Sequence, residues 1–254
     1  MAIKRTLLGV CFSIVGWASK LIPITWVEPL IHYGLMARVS KESPHAGLKL
    51  LLTVDKSVYD LIGPVAVSYG ANFHPKKRLT GYVTEIAELA AKGPGPFCDL
   101  GCGAGEIAAR VSELSESQVY GLDMRPEAIS MAKSLYTRDN LTFLVADVTD
   151  FSLKVQFRSV ILSNVLEHLD HREEFLGNLR IQFPIERLIV RVPNYERDWR
   201  VPLKQELGVD YRLDPTHRVE HTSRQLQEEL SSAGYKIVSL KSAWGEFWVE
   251  AEAI

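Results

Sequence analysis

Cysteine is scarce in this sequence: Cys11, Cys98 and Cys102 are its three thiols among 254 residues. An odd count without a CxxC pair excludes a disulfide framework and a zinc-finger type cluster, and it fits a reducing, cytoplasmic setting. An excess of positive charge is also missing, with 29 basic against 31 acidic side chains and a net charge of −2. A surface that tracks phosphates is strongly basic, so no nucleic-acid partner is expected. Internal repeats and low-complexity segments are absent, and so is any apolar run of the roughly 20 residues that a bilayer-spanning helix needs. What remains is an ordinary globular composition, 46% hydrophobic and 24% charged. The length suits one large domain, or a domain of roughly 150 residues with an extension.

The N-terminus is the most apolar part. Lys4-Arg5 precede a run from Thr6 to Ser19, and a second apolar patch covers Leu21 to Val27. The outline is that of a signal peptide or spanning segment, but the run is short. The other reading is a packed or membrane-surface helix over 6–27, with Trp17 and Trp26 suited to the interface. Residues 1–75 read as helical and irregular, divided into short pieces by Pro23, Pro29, Pro44 and Pro64. The mixed spacing of Ser57–Tyr69 assigns no element. From Thr80, the positions Val83, Ile86, Leu89 and Ala90 recur at helical spacing. Lys92-Gly93-Pro94-Gly95-Pro96 stops that helix. The expected division is a helical extension or lid at 1–92 and an α/β domain at 93–254.

Beyond residue 96, strands and helices alternate. Strands are expected at Phe97–Leu100, Val119–Leu122 (ending at Asp123), Leu141–Ala146 (ending at Asp147), Ser159–Ser163 (ending at Asn164) and Arg187–Val192. Helices are expected at Glu106–Leu114, from Pro126 to about Tyr136, and at Arg172–Gln182. Such units imply a parallel sheet covered on both faces. In the tail, Thr222 and Gln225 form a capping box, and Gly234 ends the helix they open. Strands Tyr235–Lys241 and Glu246–Ala251 are joined too tightly to be anything but an antiparallel hairpin.

The stretch Asp99-Leu100-Gly101-Cys102-Gly103-Ala104-Gly105 decides the ligand class. Glycine-rich turns between a strand and a helix hold nucleotide-like ligands. The dinucleotide spacing is G-x-G-x-x-G, whereas here the glycines fall at every second position with an acid two residues ahead. A carboxylate repels a pyrophosphate and suits a cationic ligand. S-adenosylmethionine is such a ligand, with Asp123 placed for its ribose and Asp147 for its adenine.

Phe97 to Gly105 resembles the first motif of the class I S-adenosylmethionine-dependent methyltransferases of the small-molecule type. Leu122-Asp123-Met124, Ala146-Asp147-Val148 and Ser163-Asn164-Val165-Leu166-Glu167-His168-Leu169 resemble the later motifs, in order and each at a strand end. The resemblance implies a Rossmann-like, seven-stranded, mostly parallel sheet with the last strand antiparallel and helices on both faces. It implies S-adenosylmethionine as methyl donor. It implies cofactor contacts at Asp99, Gly101, Cys102, Gly103, Gly105, Asp123, Met124, Asp147, Val148 and Asn164. His217-Arg218-Val219-Glu220-His221-Thr222 resembles the segment before the last helix in small-molecule members. His74-Pro75-Lys76-Lys77-Arg78-Leu79-Thr80 is similar to methyltransferases encoded with surface-polysaccharide genes.

The expected acceptor is a small molecule, a sugar or a lipid-linked compound, methylated at oxygen, with the protein cytoplasmic or at the membrane surface. His168, His217 and His221 are the candidate bases, and no metal site is expected. Cys98 and Cys102 read as small packing residues. Two rival readings stand beside this one: a cofactor-binding scaffold or regulatory protein without turnover, and an NAD-dependent oxidoreductase.

Overall fold

The computed structural model describes residues 21–70 and 73–254. Of the expected membrane-surface segment at 6–27, residues 6–20, with Trp17, lie outside the described residues, and 21–27, with Trp26, lie within them. Helices α1 (Ile24–Val39) and α2 (Pro44–Tyr69) come first, followed by the short α3 (Lys76–Thr80) and by α4 (Tyr82–Ala91). The sheet region runs β1 (Phe97–Leu100), α5 (Glu106–Leu114), β2 (Val119–Asp123), α6 (Pro126–Leu135), β3 (Leu141–Val145) and β4 (Ser159–Ser163). It continues with α7 (Arg172–Gln182), β5 (Arg187–Pro193), α8 (Arg200–Glu206), α9 (Ser223–Ser232), β6 (Tyr235–Ala243) and β7 (Glu246–Ala253). Short 3-10 turns occupy Leu166–His168 and Tyr195–Arg197.

The seven strands lie in the order β3-β2-β1-β4-β5-β7-β6. Strands β1 to β5 are mutually parallel, and β7 runs antiparallel to β5 on one side and to β6 on the other. This is the expected Rossmann-like sheet with its last strand reversed. That strand is inserted beside β5, and β6 forms the edge.

Alternation along the strands builds two cores, one per face. Val160, Leu162, Leu188 and Val190 pack with α7 and α9 through Leu176, Leu179, Leu226 and Leu230. Ile161, Ile189 and Trp248 face the other way, onto Ile86, Ile107, Val111 and Ile129 of α4, α5 and α6. Each such side chain contributes about 1.5–3 kcal/mol by burial. α4 lies ahead of the expected boundary at residue 92, yet its Ile86, Ala87 and Ala90 have no exposed surface and pack in the sheet's own core.

Two expectations about the N-terminal region need correction. Pro29 lies inside α1 and Pro64 inside α2, so neither ends a helix. The unassigned stretch Ser57–Tyr69 is the second half of the 26-residue α2. That helix docks on the segment after β5: Leu52 packs with Leu207 and Val209, and Asp55 pairs with Lys204 at 2.6 Å and Arg200 at 3.2 Å.

Candidate active site

The register aligns Leu100 with Leu122 and with Leu162, so β1, β2 and β4 end on one line. The next residues, Gly101, Asp123 and Ser163-Asn164, therefore start from the same sheet edge. Strand order reverses between β1 and β4 there, which is where open α/β sheets bind ligands.

The glycine loop turns as its sequence demands. Gly101, Gly103 and Gly105 have φ of +73°, +55° and +85°. A Cβ on Gly101 would stand 2.6 Å from Val165 Cγ2, and one on Gly105 would stand 2.6 Å from the Phe143 ring. Gly103 faces open space, with Arg125 Nη2 at 3.9 Å the one atom near such a Cβ. The N–H groups of the loop are directed inward. Gly101 and Cys102 donate to the Leu122 carbonyl at 2.7 and 2.8 Å, Gly105 donates to the Cys102 carbonyl at 2.9 Å, and Gly103 donates to Asp123 Oδ2 at 2.9 Å. A phosphate-cradling loop needs those donors free. This loop presents carboxylates instead.

Asp99 is 1% exposed and its Oδ2 has no hydrogen-bond partner. Burial pushes its pKa up to about 7; the Ala108 N–H opposes this, while Glu106 and Asp123 add to it. A buried, orphaned carboxyl group at a glycine loop fits the ammonium end of S-adenosylmethionine and does not fit a pyrophosphate. Asp123 is 5% exposed and accepts at Oδ1 from Arg125 N and Nε, both at 3.0 Å. Burial raises its pKa, but the Arg125 and Gly103 hydrogen bonds outweigh that and hold it below the usual range. The Arg125 clamp was not foreseen: an arginine two residues after the acid carries no pattern in the sequence.

The other expected cofactor residues are more peripheral. Met124 is 67% exposed. Asp147 caps its own turn, accepting from Thr149 N at 2.9 Å and Oγ1 at 2.7 Å, and Val148 packs half-buried against the α7/α9 core. Cys102 and Cys98 are buried, and burial pushes both thiols up, as packing residues require.

Beyond β4 the chain takes a left-handed step at Asn164, φ 59°, a conformation that asparagine tolerates better than most residues. The step lets Asn164 Nδ2 donate to Glu167 Oε1 at 2.6 Å. Glu167 is fully buried, its Oε2 is unpartnered, and burial raises its pKa to about 7, with Asn164 opposing. The Glu167 carbonyl accepts from Arg218 N at 2.7 Å. That bond seats His217 against His168, with ring centroids 4.8 Å apart. Glu167 was missed at the sequence level because the tetrad Leu166-Glu167-His168-Leu169 drew attention to its histidine.

His221 is placed differently from the other two candidate histidines. It has no exposed surface, and its Nε2 bonds Glu229 Oε2 at 3.0 Å, beneath α9. Glu229 is in turn held by Arg172 at 2.7 Å. His221 is thus held by Glu229, whereas His168 and His217 pair with each other. Its backbone explains the position, since the Asn194–His221 bridge and the Tyr195 N to His221 O bond (2.8 Å) tie it to the end of β5.

Comparison with known proteins agrees with this geometry. Residues 97–180 match the family model described as a methyltransferase domain. The ribosomal protein L11 methyltransferase of Dechloromonas aromatica (strain RCB) is 30% identical over 95 residues, 37% of this chain; the match spans about a third (31%) of that protein's length. Among solved structures, magnesium protoporphyrin IX methyltransferase from Synechocystis PCC 6803 with bound SAH superposes at a TM-score of 0.55. It is 19% identical, over 78% of this chain and 99% of that one. An S-adenosylmethionine-dependent methyltransferase from Mesorhizobium loti superposes at 0.53 with 16% identity, over 66% and 97% of the two chains. A glycopeptide N-methyltransferase superposes at 0.50 with 16% identity, over 68% and 90%. The matched stretch 97–180 is thus similar to a methyltransferase domain, and it sits in a seven-stranded sheet with the Rossmann-like methyltransferase fold.

Proposed function

We propose that this protein transfers the methyl group of S-adenosylmethionine to an oxygen atom of a small-molecule, sugar or lipid-linked acceptor. The observation that carries the reading is the juxtaposition, at one sheet edge, of a loop with inward N–H groups and the Asn164–Glu167–His168–His217 cluster. In this reading Asp99 and the Gly101–Gly103 backbone hold the methionine end, Asp123 accepts from the ribose, and Asp147 and Val148 flank the adenine. The donor supplies an already activated methyl on a sulfonium, so positioning and exclusion of water carry much of the rate. An oxygen acceptor must lose a proton as the methyl arrives. His168 and His217 stand beside the Asn164 turn to draw that proton off, directly or through a bound cation.

Among the three acceptor classes, α1 favours the lipid-linked one. No α1 residue is buried, and Ile24, Trp26, Leu30, Ile31, Tyr33 and Met36 are 52–87% exposed. A helix apolar all round its surface needs a cover, and a lipid headgroup boundary is one. Among the described residues no helix is long and apolar enough to cross a membrane. The relatives do not fix the acceptor, since they include a protein, a porphyrin and a glycopeptide methyltransferase.

The test is transfer of labelled methyl from S-adenosylmethionine to nucleotide sugars, lipid-linked sugars and their free sugars. We expect alkali-stable label on one class and loss of transfer in His217→Ala with donor binding retained. Donor binding without transfer to any acceptor would favour the scaffold reading.

A further inference from the structure

We propose that Glu167, His168 and His217 bind one divalent first-row cation of the zinc type. One donor atom from each of the three lies within 4.8 Å of the other two. Ligands around a tetrahedral zinc stand about 3.4 Å apart, so closing on the ion needs side-chain shifts of about 1 Å.

Hydrogen bonding around the cluster leaves the right atoms free. Thr216 Oγ1 donates its single proton to Asp214 Oδ1 at 2.6 Å, so toward His168 Nδ1, 3.0 Å away, it accepts. His168 is therefore protonated at Nδ1 and carries its lone pair on Nε2. His217 Nδ1 lies 3.3 Å from Glu220 Oε1, an ionised acceptor that Arg197 also pairs, so its lone pair is on Nε2 as well. A carboxylate behind an imidazole, as Glu220 stands behind His217, is a usual support of a metal-bound histidine, and the Thr216 hydroxyl takes that place behind His168. Glu167 adds a carboxylate with one oxygen held by Asn164 and the other, Oε2, buried and unpartnered. A buried orphan oxygen calls for a partner, and a cation beside two imidazoles supplies it. Two imidazoles and one carboxylate are a zinc-type donor set with an open position. Access is available, because His168 also lines a groove of about 660 Å³ that runs between Val148–Phe151 and α7.

The assignment deepens the function proposed above and rests on it only for the cation's use. With the ion in place the two histidines act as ligands, and the open position takes the acceptor's hydroxyl oxygen, whose proton is then lost more readily to water. The binding itself does not depend on methyl transfer.

Cobalt(II) is the probe, titrated into the full chain without donor or acceptor and followed by its visible absorption and by equilibrium dialysis. We expect one ion per chain, a tetrahedral-type spectrum, and binding at least about tenfold weaker in Glu167→Gln and His217→Ala. His221→Ala, outside the cluster, should bind as the unaltered protein does. Circular dichroism of each variant separates loss of ligand from loss of fold. No stoichiometric binding by the folded protein, or binding unchanged in folded Glu167→Gln and His217→Ala, would overturn the assignment. Calorimetry with S-adenosylhomocysteine on the same samples reports separately on the donor site.

Discussion

Gly103 donates its backbone N–H to Asp123 Oδ2 at 2.9 Å, locking the glycine loop to the end of β2. The bond makes one carboxylate both a strut of the loop and, in the proposed function, an acceptor for the ribose. The Arg125 clamp keeps it ionised.

Removing that carboxylate therefore acts twice. Asp123→Ala should weaken S-adenosylhomocysteine binding by about 1–3 kcal/mol, the cost of leaving donors unpaired. Calorimetry that shows unchanged affinity would contradict the ribose assignment.

Asp99 makes donor binding depend on pH. Its carboxyl group, raised to about 7 by burial, is protonated in the free protein at pH 6. An ammonium beside it favours the ionised form, so binding expels a proton and affinity rises with pH between 6 and 7, by up to about tenfold per unit. The stability sign follows from the same shift. Because the folded pKa lies above the unfolded one, Asp99 withdraws stability as pH climbs from about 4 to 7. Asp99→Asn should flatten the affinity profile and show its largest relative stability gain above pH 7. An affinity slope retained in Asp99→Asn would exclude this role.

His221 is expected to matter for stability alone. Burial raises Glu229, but the His221 and Arg172 hydrogen bonds override it and hold the carboxyl group down to about 2. This contribution is complete above the unfolded value near 4.3 and is lost as pH falls toward 2. His221→Ala should cost about 2–4 kcal/mol at neutral pH. Urea melts report the loss, while methyl transfer per folded molecule stays constant; a selective loss of turnover would return His221 to the catalytic candidates.

Glu246 joins the N-terminal helices to the sheet. It is 2% exposed and pairs with Arg191 at 2.9 Å and with Lys76 at 2.7 Å, while Arg191 stacks 3.8 Å from the Tyr82 ring. Glu246→Gln leaves Arg191 buried without its counter-charge and should cost about 3 kcal/mol or more. Lys76→Ala removes a partly exposed partner and should cost less than about 1 kcal/mol. Equal losses in thermal or urea unfolding would refute this ranking.

The sheet was legible because its strands are short apolar runs, several with a polar residue at the end (Asp123, Asp147, Asn164), and because Thr222, Gln225 and Gly234 mark the last helix chemically. The capping box forms as expected, and Gly234 takes φ +82°. The N-terminal region was harder. Pro29 and Pro64 read as breaks, but α1 and α2 run through them, and α2 docks on the segment after β5 through Leu52 and Asp55, a contact that local rules do not see. In the site, the acid and glycine positions could be read one by one, whereas Glu167, Arg125 and the edge-to-face His168–His217 pair depend on contacts across the fold. His221 shows the converse, since its neighbour Glu220 belongs to the cluster while it turns under α9.

The most direct test of the account is calorimetric titration of the purified chain with S-adenosylhomocysteine and, separately, with NADH. One site per chain for S-adenosylhomocysteine, weakened in Asp123→Ala, and no heat with NADH is the predicted result. Tight NADH binding with no response to S-adenosylhomocysteine would contradict it.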